Sequence, residues 1–324
     1  MRRREVIVGL GAAALPAAVR AQTRAVPVVG FLTSGTLEAY SGLIAAFRDG
    51  LSEAGYVDGR DVAIEARGAD GRFETTAGLA AGLVARGAAV IVATGNGSAL
   101  AAKSAAGATP LVVLSQGDPV AFGLAASLSR PGGNVTGVSL LAVDLLGKRL
   151  EIARQIVPDA SAIAVLFNPK SAEADAQQHE LKEAARRLSH PIRFLDAGTP
   201  GEIEAAFAEV ARLRPGALIV STDAFLFSRR DRIVDLAARV GVPAIYDRRE
   251  FAAEGGLLSY GADYAHAFRR LGVYTGKVLK GASPAELPIE QSAKVELIIN
   301  LKTARSLGLT LPLPLLGRAD EVIE

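Results

Sequence analysis

From Val26 onward the chain alternates short runs of β-branched and apolar residues with amphipathic stretches long enough for helices. That alternation is the pattern of parallel α/β architecture and leaves few other folds open. PVVGFLT (27–33) reads as the first strand and 37–54 as the first helix, with Ala45, Phe47, Leu51 and Ala54 near helical spacing and Gly55 placed to stop it. Further strands are predicted at 61–67, 88–94, 110–115 and 134–139, with helices near 74–86, 98–106 and 120–128 between them. The pattern then starts again, with helices at 144–157, 171–188, 201–213 and 228–240 and strands at SAIAVLFN (161–168), PIRFLDA (191–197), GALIVST (216–222) and PAIYD (243–247). The predicted fold class is therefore α/β, two doubly wound, Rossmann-like lobes in tandem with a ligand cleft between them at the carboxyl ends of the strands.

The loops at those ends carry the candidate chemistry. VIVATGNGSALAAK (90–103) runs from a strand through a glycine-rich turn into a helix, but it is neither of the common nucleotide turns. Leu100 stands where the third glycine of G-x-G-x-x-G belongs, and Ala102 precedes Lys103-Ser104 where a P-loop needs glycine. What remains is a helix start whose unpaired N–H groups, with Asn96 and Ser98, suit an anionic or polar group; an ordinary tight turn is the competing reading. The loops 33–40, 94–99 and 115–123 in the first unit, and 168–174, 222–228 and 246–251 in the second, supply small hydroxyls, glycines, single carboxylates and rings. Such a set can bracket a small zwitterion, with N–H groups and hydroxyls for a carboxylate and aspartates for an ammonium. Phe122, Phe225, Phe227, Tyr246 and Phe251 are available to enclose an apolar part or to serve as core.

Several functions are excluded or disfavoured. No cysteine is present, which removes disulfides, thiolate metal sites and cysteine nucleophiles. His179, His190 and His266 show no metal-like spacing, lie in no candidate cleft loop, and read as surface residues. The nucleophile elbow G-x-S-x-G is missing, and Asp118, Asp223 and Asp247 serve amine binding or helix capping as readily as acid–base work. No enzyme activity, metal or cofactor is expected. The absence of tryptophan weakly disfavours a sugar, leaving an amino acid, aromatic members included, or a small carboxylate as the ligand class.

MRRREVIVGLGAAALPAAVRAQ combines a basic start, an apolar run and a small residue at Ala21, the pattern of a secretory signal peptide over residues 1–21, read by the Sec or the twin-arginine route. Removing its four arginines and one glutamate from 36 basic and 34 acidic residues leaves 32 and 33, a net charge of −1. The basic balance thus belongs to the leader, and no nucleic-acid footprint is expected.

The chain resembles the substrate-binding proteins of the bacterial ABC_sub_bind family, through GFLTSG, FRDGLSEAGYVDGRDVAIEAR, GDPVAFGLAASLSRPGGNVTGVS, KRLEIARQIVPDASAIAVLFNP, SRRDRIVDLAARVGVPAIYDRREFAAEGGLLSYGADY, VYTGKVLKG and ELIINLKTARSLGLTLP with the terminal RADEVIE. The resemblance implies a type I periplasmic-binding fold with crossovers between lobes: 26–142 and 259–285 in the first, 143–258 and 286–324 in the second. It implies a monomeric periplasmic protein that delivers a small ligand to the membrane permease of an ABC importer, with a periplasmic sensor using the same cleft as the alternative. Its ligand loops fall on Ser34, Gly97, Ser98 and Asp118 and on Asn168, Ser171, Asp223 and Asp247. Gly35, Asn96, Gln116, Phe225 and Tyr246 complete the candidate ligand set, and Gln116 and the glycine-rich TGNGS depart from the family pattern within it. Asp118 is the first candidate for a ligand ammonium.

Overall fold

The computed structural model describes residues 26–140, 142–158 and 162–324; the expected signal peptide lies outside the described residues. The first half supplies strands β1 (Val28–Thr33), β2 (Ala63–Gly68), β3 (Val90–Thr94), β4 (Leu111–Ser115) and β5 (Val135–Leu140), with helices α1 (Ser41–Glu53), α2 (Thr76–Ala85) and α3 (Asn96–Ala105). The second repeats the scheme with β6 (Ile163–Phe167), β7 (Ile192–Asp196), β8 (Ala217–Val220), β9 (Ala244–Tyr246) and β10 (Leu258–Ala262), and with helices α4 (Leu145–Ile156), α5 (Ala174–Arg187), α6 (Pro200–Leu213), α7 (Ala224–Ser228), α8 (Arg230–Val240) and α9 (Arg249–Ala253). The chain closes with α10 (Tyr264–Leu279), β11 (Glu290–Ser292), β12 (Val295–Asn300), α11 (Leu301–Ser306), α12 (Leu313–Leu316) and β13 (Glu321–Ile323).

These strands form one sheet per lobe, ordered β11-β5-β4-β3-β1-β2 and β13-β12-β10-β9-β8-β6-β7. Pairing is parallel except where β12 runs antiparallel to β10. Every residue of VIVAT in β3, LVVLS in β4 and IAVLF in β6 is buried. Parallel strands covered by helices on both faces demand such unbroken apolar runs. Within each sheet the strand order reverses at one place, between β1 and β3 in the first lobe and between β6 and β8 in the second. A crevice opens at such a switch point because the flanking loops leave toward opposite faces.

The lobes differ from the sequence reading at their borders. β10 pairs with β9 and β12, so residues 259–262 belong to the second sheet, and β11 pairs with β5, which keeps the chain in the first lobe through Ser292. The glycine-containing LSYGA carries too little periodic signal to be read as a strand, and the three-residue EQS is too short for its sequence to show which sheet it joins. The chain crosses between lobes three times, before α4, before α10 and before β12. α10 lies against α1 at near backbone contact: a Cβ on Gly272 would meet the Phe47 carbonyl, and one on Gly50 the Arg269 carbonyl. The helix predicted near 120–128 is instead a turn with Gly123 at φ 68°, a left-handed conformation that ends helical winding at once. His190 is buried rather than at the surface, and burial, with Arg154 nearby, lowers its imidazole pKa below the ordinary value.

Candidate ligand-binding cleft

The two switch points face each other. On the first lobe the β1 and β3 loops bring Ser34 and Ser98 together, their hydroxyls 2.8 Å apart. Gly95, at φ 87°, turns the chain into α3, and the Asn96 side chain folds back so that its Oδ1 accepts from the Ser115 hydroxyl at 2.8 Å and the Gln116 N–H at 3.2 Å. Two donors on the oxygen fix the amide's orientation and leave its buried Nδ2 without a partner. The sheet end thus keeps a buried donor uncommitted.

On the second lobe Asp223 caps α7, its carboxylate accepting from the Leu226 N–H at 2.9 Å. Burial raises its pKa to about 6, opposed chiefly by that N–H and reinforced by the Glu173 charge. Next to it the Thr222 carbonyl accepts from Gln177 Nε2 at 2.7 Å, and the Thr222 hydroxyl pairs with Arg149 Nη1 at 3.2 Å. Gln177 Oε1 and the Ser221 hydroxyl are buried without partners. A buried polar atom normally finds a hydrogen bond, so a convergence of open ones at one cleft marks a place for a polar guest.

The lobes are closed on one another. Glu173 reaches across to accept from the Asn96 N–H at 3.0 Å while its other oxygen accepts from the Ser171 hydroxyl at 2.6 Å. The Thr36 N–H donates to the Ser228 hydroxyl at 3.0 Å, and the Tyr40 and Phe227 rings meet edge-on at 5.4 Å between centroids. Phe225 lies over Gly71, where a Cβ would strike its ring. At this rim a cavity of about 420 Å³ lies between Asp70, Gly71 and Phe73 of the first lobe and Lys170, Pro200 and Phe225 of the second.

Among the sequence candidates, Ser34, Gly35, Asn96, Gly97, Ser98 and Gln116 gather on the first face and Asn168, Ser171, Asp223, Phe225 and Asp247 on the second, Gly97 being half-buried and the rest buried. Two differ. Asp118 is exposed, its carboxylate accepting from the Val120 N–H at 2.9 Å, because the turn after β4 directs it outward to close that turn. Tyr246 is core, stacked on Phe251 at 4.5 Å and 12°, since the alternation along β9 sends it into the sheet's interior face. Sequence reasoning missed Glu173, Arg149, Arg248 and Tyr264. Arg149 sits in mid-helix and Glu173 on a loop that reads as a helix start, so neither shows a local signal; Arg248 borders Asp247 in a loop already noted.

Among the described residues no group of His, Asp and Glu could hold a metal ion, and no helix is long and apolar enough to cross a membrane. The sequence profile of the ABC transporter substrate binding protein family matches residues 25–323. A curated tyrosine-binding protein of Clostridioides difficile (strain R20291) is 28% identical over 264 residues, 81% of this chain and 75% of that protein. The solved structure of an ABC domain from Streptococcus pneumonia in complex with L-Trp is 26% identical and superposes with a TM-score of 0.82. The ligand-free, open structure of a substrate binding protein with adhesive properties from Clostridium difficile is 25% identical and gives 0.63; both alignments cover 92% of this chain and 99% of the other. At near-equal identity the lobes here match the liganded arrangement better than the open one. The two-lobed architecture is that of type I periplasmic binding proteins.

Proposed function

This chain belongs to the ABC transporter substrate binding protein family, and from that premise we propose that it takes an amino acid, aromatic ones included, between its lobes and delivers it to the membrane permease of an ABC importer. The observation that carries this reading is the pair of facing switch points lined by buried polar groups with open hydrogen-bonding capacity. Asp223 offers a carboxylate for an ammonium, and Tyr40, Phe225, Phe227 and Tyr264 offer aromatic walls. The relatives named for tyrosine and solved with L-Trp support the same ligand class. The protein acts in the periplasm after loss of residues 1–21, a reading that rests on the basic and apolar start of the sequence, and the monomeric state rests on the family resemblance alone.

Closure by a hinge explains how a small molecule is buried and released. A ligand at about 100 times its Kd stabilises the closed form by about 2.7 kcal/mol, enough for a clear thermal shift. A panel of amino acids, aromatic acids, sugars and short peptides is expected to give its largest shift with an aromatic amino acid. A sugar that raises the midpoint while amino acids do nothing overturns the ligand class. Intact-mass analysis of the periplasmic fraction tests the processing, and loss of uptake of the winning ligand on gene deletion tests delivery.

A further inference from the structure

We propose that Arg149 and Arg248 form the subsite for the ligand's carboxylate, with Tyr264 as a third donor, so that the acid end of the substrate lies against the crossover and not at the α3 turn. This deepens the functional reading and rests on it in taking the cleft as the ligand site.

Both guanidiniums are almost fully buried, at 0% and 1% exposure. Arg149 donates from Nε to the Tyr260 carbonyl at 2.8 Å and from Nη1 to the Thr222 hydroxyl at 3.2 Å, both neutral acceptors, and its Nη2 has no partner. Arg248 makes one contact with a carboxylate, Nε to Asp247 at 3.3 Å, and both of its terminal nitrogens are open. Asp247 is the one carboxylate within hydrogen-bonding reach of either arginine among the described residues. Glu250 adds a second negative charge near Arg248 without hydrogen-bonding it, so the terminal nitrogens of Arg248 and Nη2 of Arg149 stay unpaired in a water-excluded place, and a buried guanidinium is tolerated only when its donors are hydrogen-bonded.

The stacking on Arg248 selects the guest. The Arg248 guanidinium carbon lies 3.8 Å from the Tyr264 ring centroid and 4.2 Å from that of Phe227, so these two rings cover the flat group. Only the in-plane N–H edge remains, a fork that matches a carboxylate. The Tyr264 hydroxyl beside it is also buried and open. The competing anion place, the N-terminus of α3, is already filled by the Glu173 carboxylate. Arg149 touches Thr222, the chain neighbour of Asp223, so the arginine side of the cleft adjoins the loop that carries the aspartate.

The test is calorimetric titration of the whole mature protein with L-tyrosine and L-tryptophan, their α-amides, their decarboxylated amines and their deaminated acids, repeated on Arg248→Met, Arg248→Lys, Arg149→Met and Tyr264→Phe. The wild type is expected to bind the amides and amines at least about 100-fold more weakly than the amino acids. Arg248→Met and Arg149→Met should weaken amino-acid binding by at least about 30-fold and bring the acid-to-amide ratio near one, Arg248→Lys should restore part of it, and Tyr264→Phe should cost about tenfold. Should a methionine variant fail to fold, Arg248→Lys and Tyr264→Phe carry the comparison. Amides that bind the wild type as tightly as acids, or variants that keep the wild-type ratio, overturn the subsite. If deaminated acids bind through the arginines while amino acids do not, the amino-acid reading fails and the subsite stands; amino acids bound with no dependence on either arginine give the reverse. Ligand released from the purified, denatured protein should carry a carboxylate by mass spectrometry, and a ligand without an anionic group overturns the assignment.

Discussion

Glu173 of the second lobe accepts from the Asn96 N–H of the first at 3.0 Å, a carboxylate set on the N-terminus of α3. The helix start expected to hold an anion holds one from the protein's own opposite lobe. The contact exists only when the lobes are together, so it favours closure by the usual attraction of a helix N-terminus for negative charge.

Glu173→Ala should therefore shift the ligand-free protein toward the open arrangement and weaken ligand binding by about 1.5–3 kcal/mol, the scale of a hydrogen bond to a charged group. Glu173→Gln, which keeps an acceptor but loses the charge, should lose about half as much. Small-angle scattering with and without ligand, beside titration, reads both effects. Unchanged scattering and affinity in the alanine variant would refute the latch.

Asp223 gives stability a pH dependence of unusual sign for a carboxylate. Its folded-state pKa is about 6 against an ordinary 3.8, because burial penalises the ion. Below 3.8 the group is protonated in both states and costs nothing; as pH rises from 3.8 toward 6 the unfolded chain ionises first, and folding loses about 3 kcal/mol that stays lost above 6. Asp223→Asn keeps the helix cap and removes this term, so its denaturation midpoint should exceed the wild type's at pH 7 and approach it near pH 4. The same variant should bind an ammonium-bearing ligand more weakly.

Asp118 stands outside the cleft and closes its own turn through the Val120 N–H. Asparagine closes such turns as well, so Asp118→Asn should leave both ligand affinity and stability within about 0.5 kcal/mol of the wild type. A tenfold loss of affinity would return this residue to the site.

Gly272→Ala places a methyl against the Phe47 carbonyl and forces α10 away from α1. Overpacking of this kind costs about 1–3 kcal/mol, read as a lower urea midpoint at unchanged slope. Because α10 begins at a crossover, the displacement should also weaken ligand binding; wild-type stability would show that the two helices can separate freely.

The sequence by itself determined the class of fold and the faces of the cleft. Unbroken apolar strands such as VIVAT and IAVLF, alternating with amphipathic helices, admit little besides parallel sheets covered on both sides, and the loops at their carboxyl ends then have one place to be. Ser34, Asn96, Ser98, Asn168, Ser171 and Asp223 could be placed at the strand ends for that reason: each lies within four residues after a strand. What only the tertiary structure decided depends on where distant segments meet. β10 and β11 take their lobes from their strand partners and not from their own short sequences. Asp118 and Asp223 look alike in the chain, yet one turns outward to its own backbone and the other is buried at the switch point. Arg149 comes from a helix, Arg248 from a loop after β9 and Tyr264 from a crossover, and burial together is what leaves their donors open. Local periodicity encodes which face of an element is apolar, but the desolvation that turns a side chain into a binding group arises only when remote elements close around it.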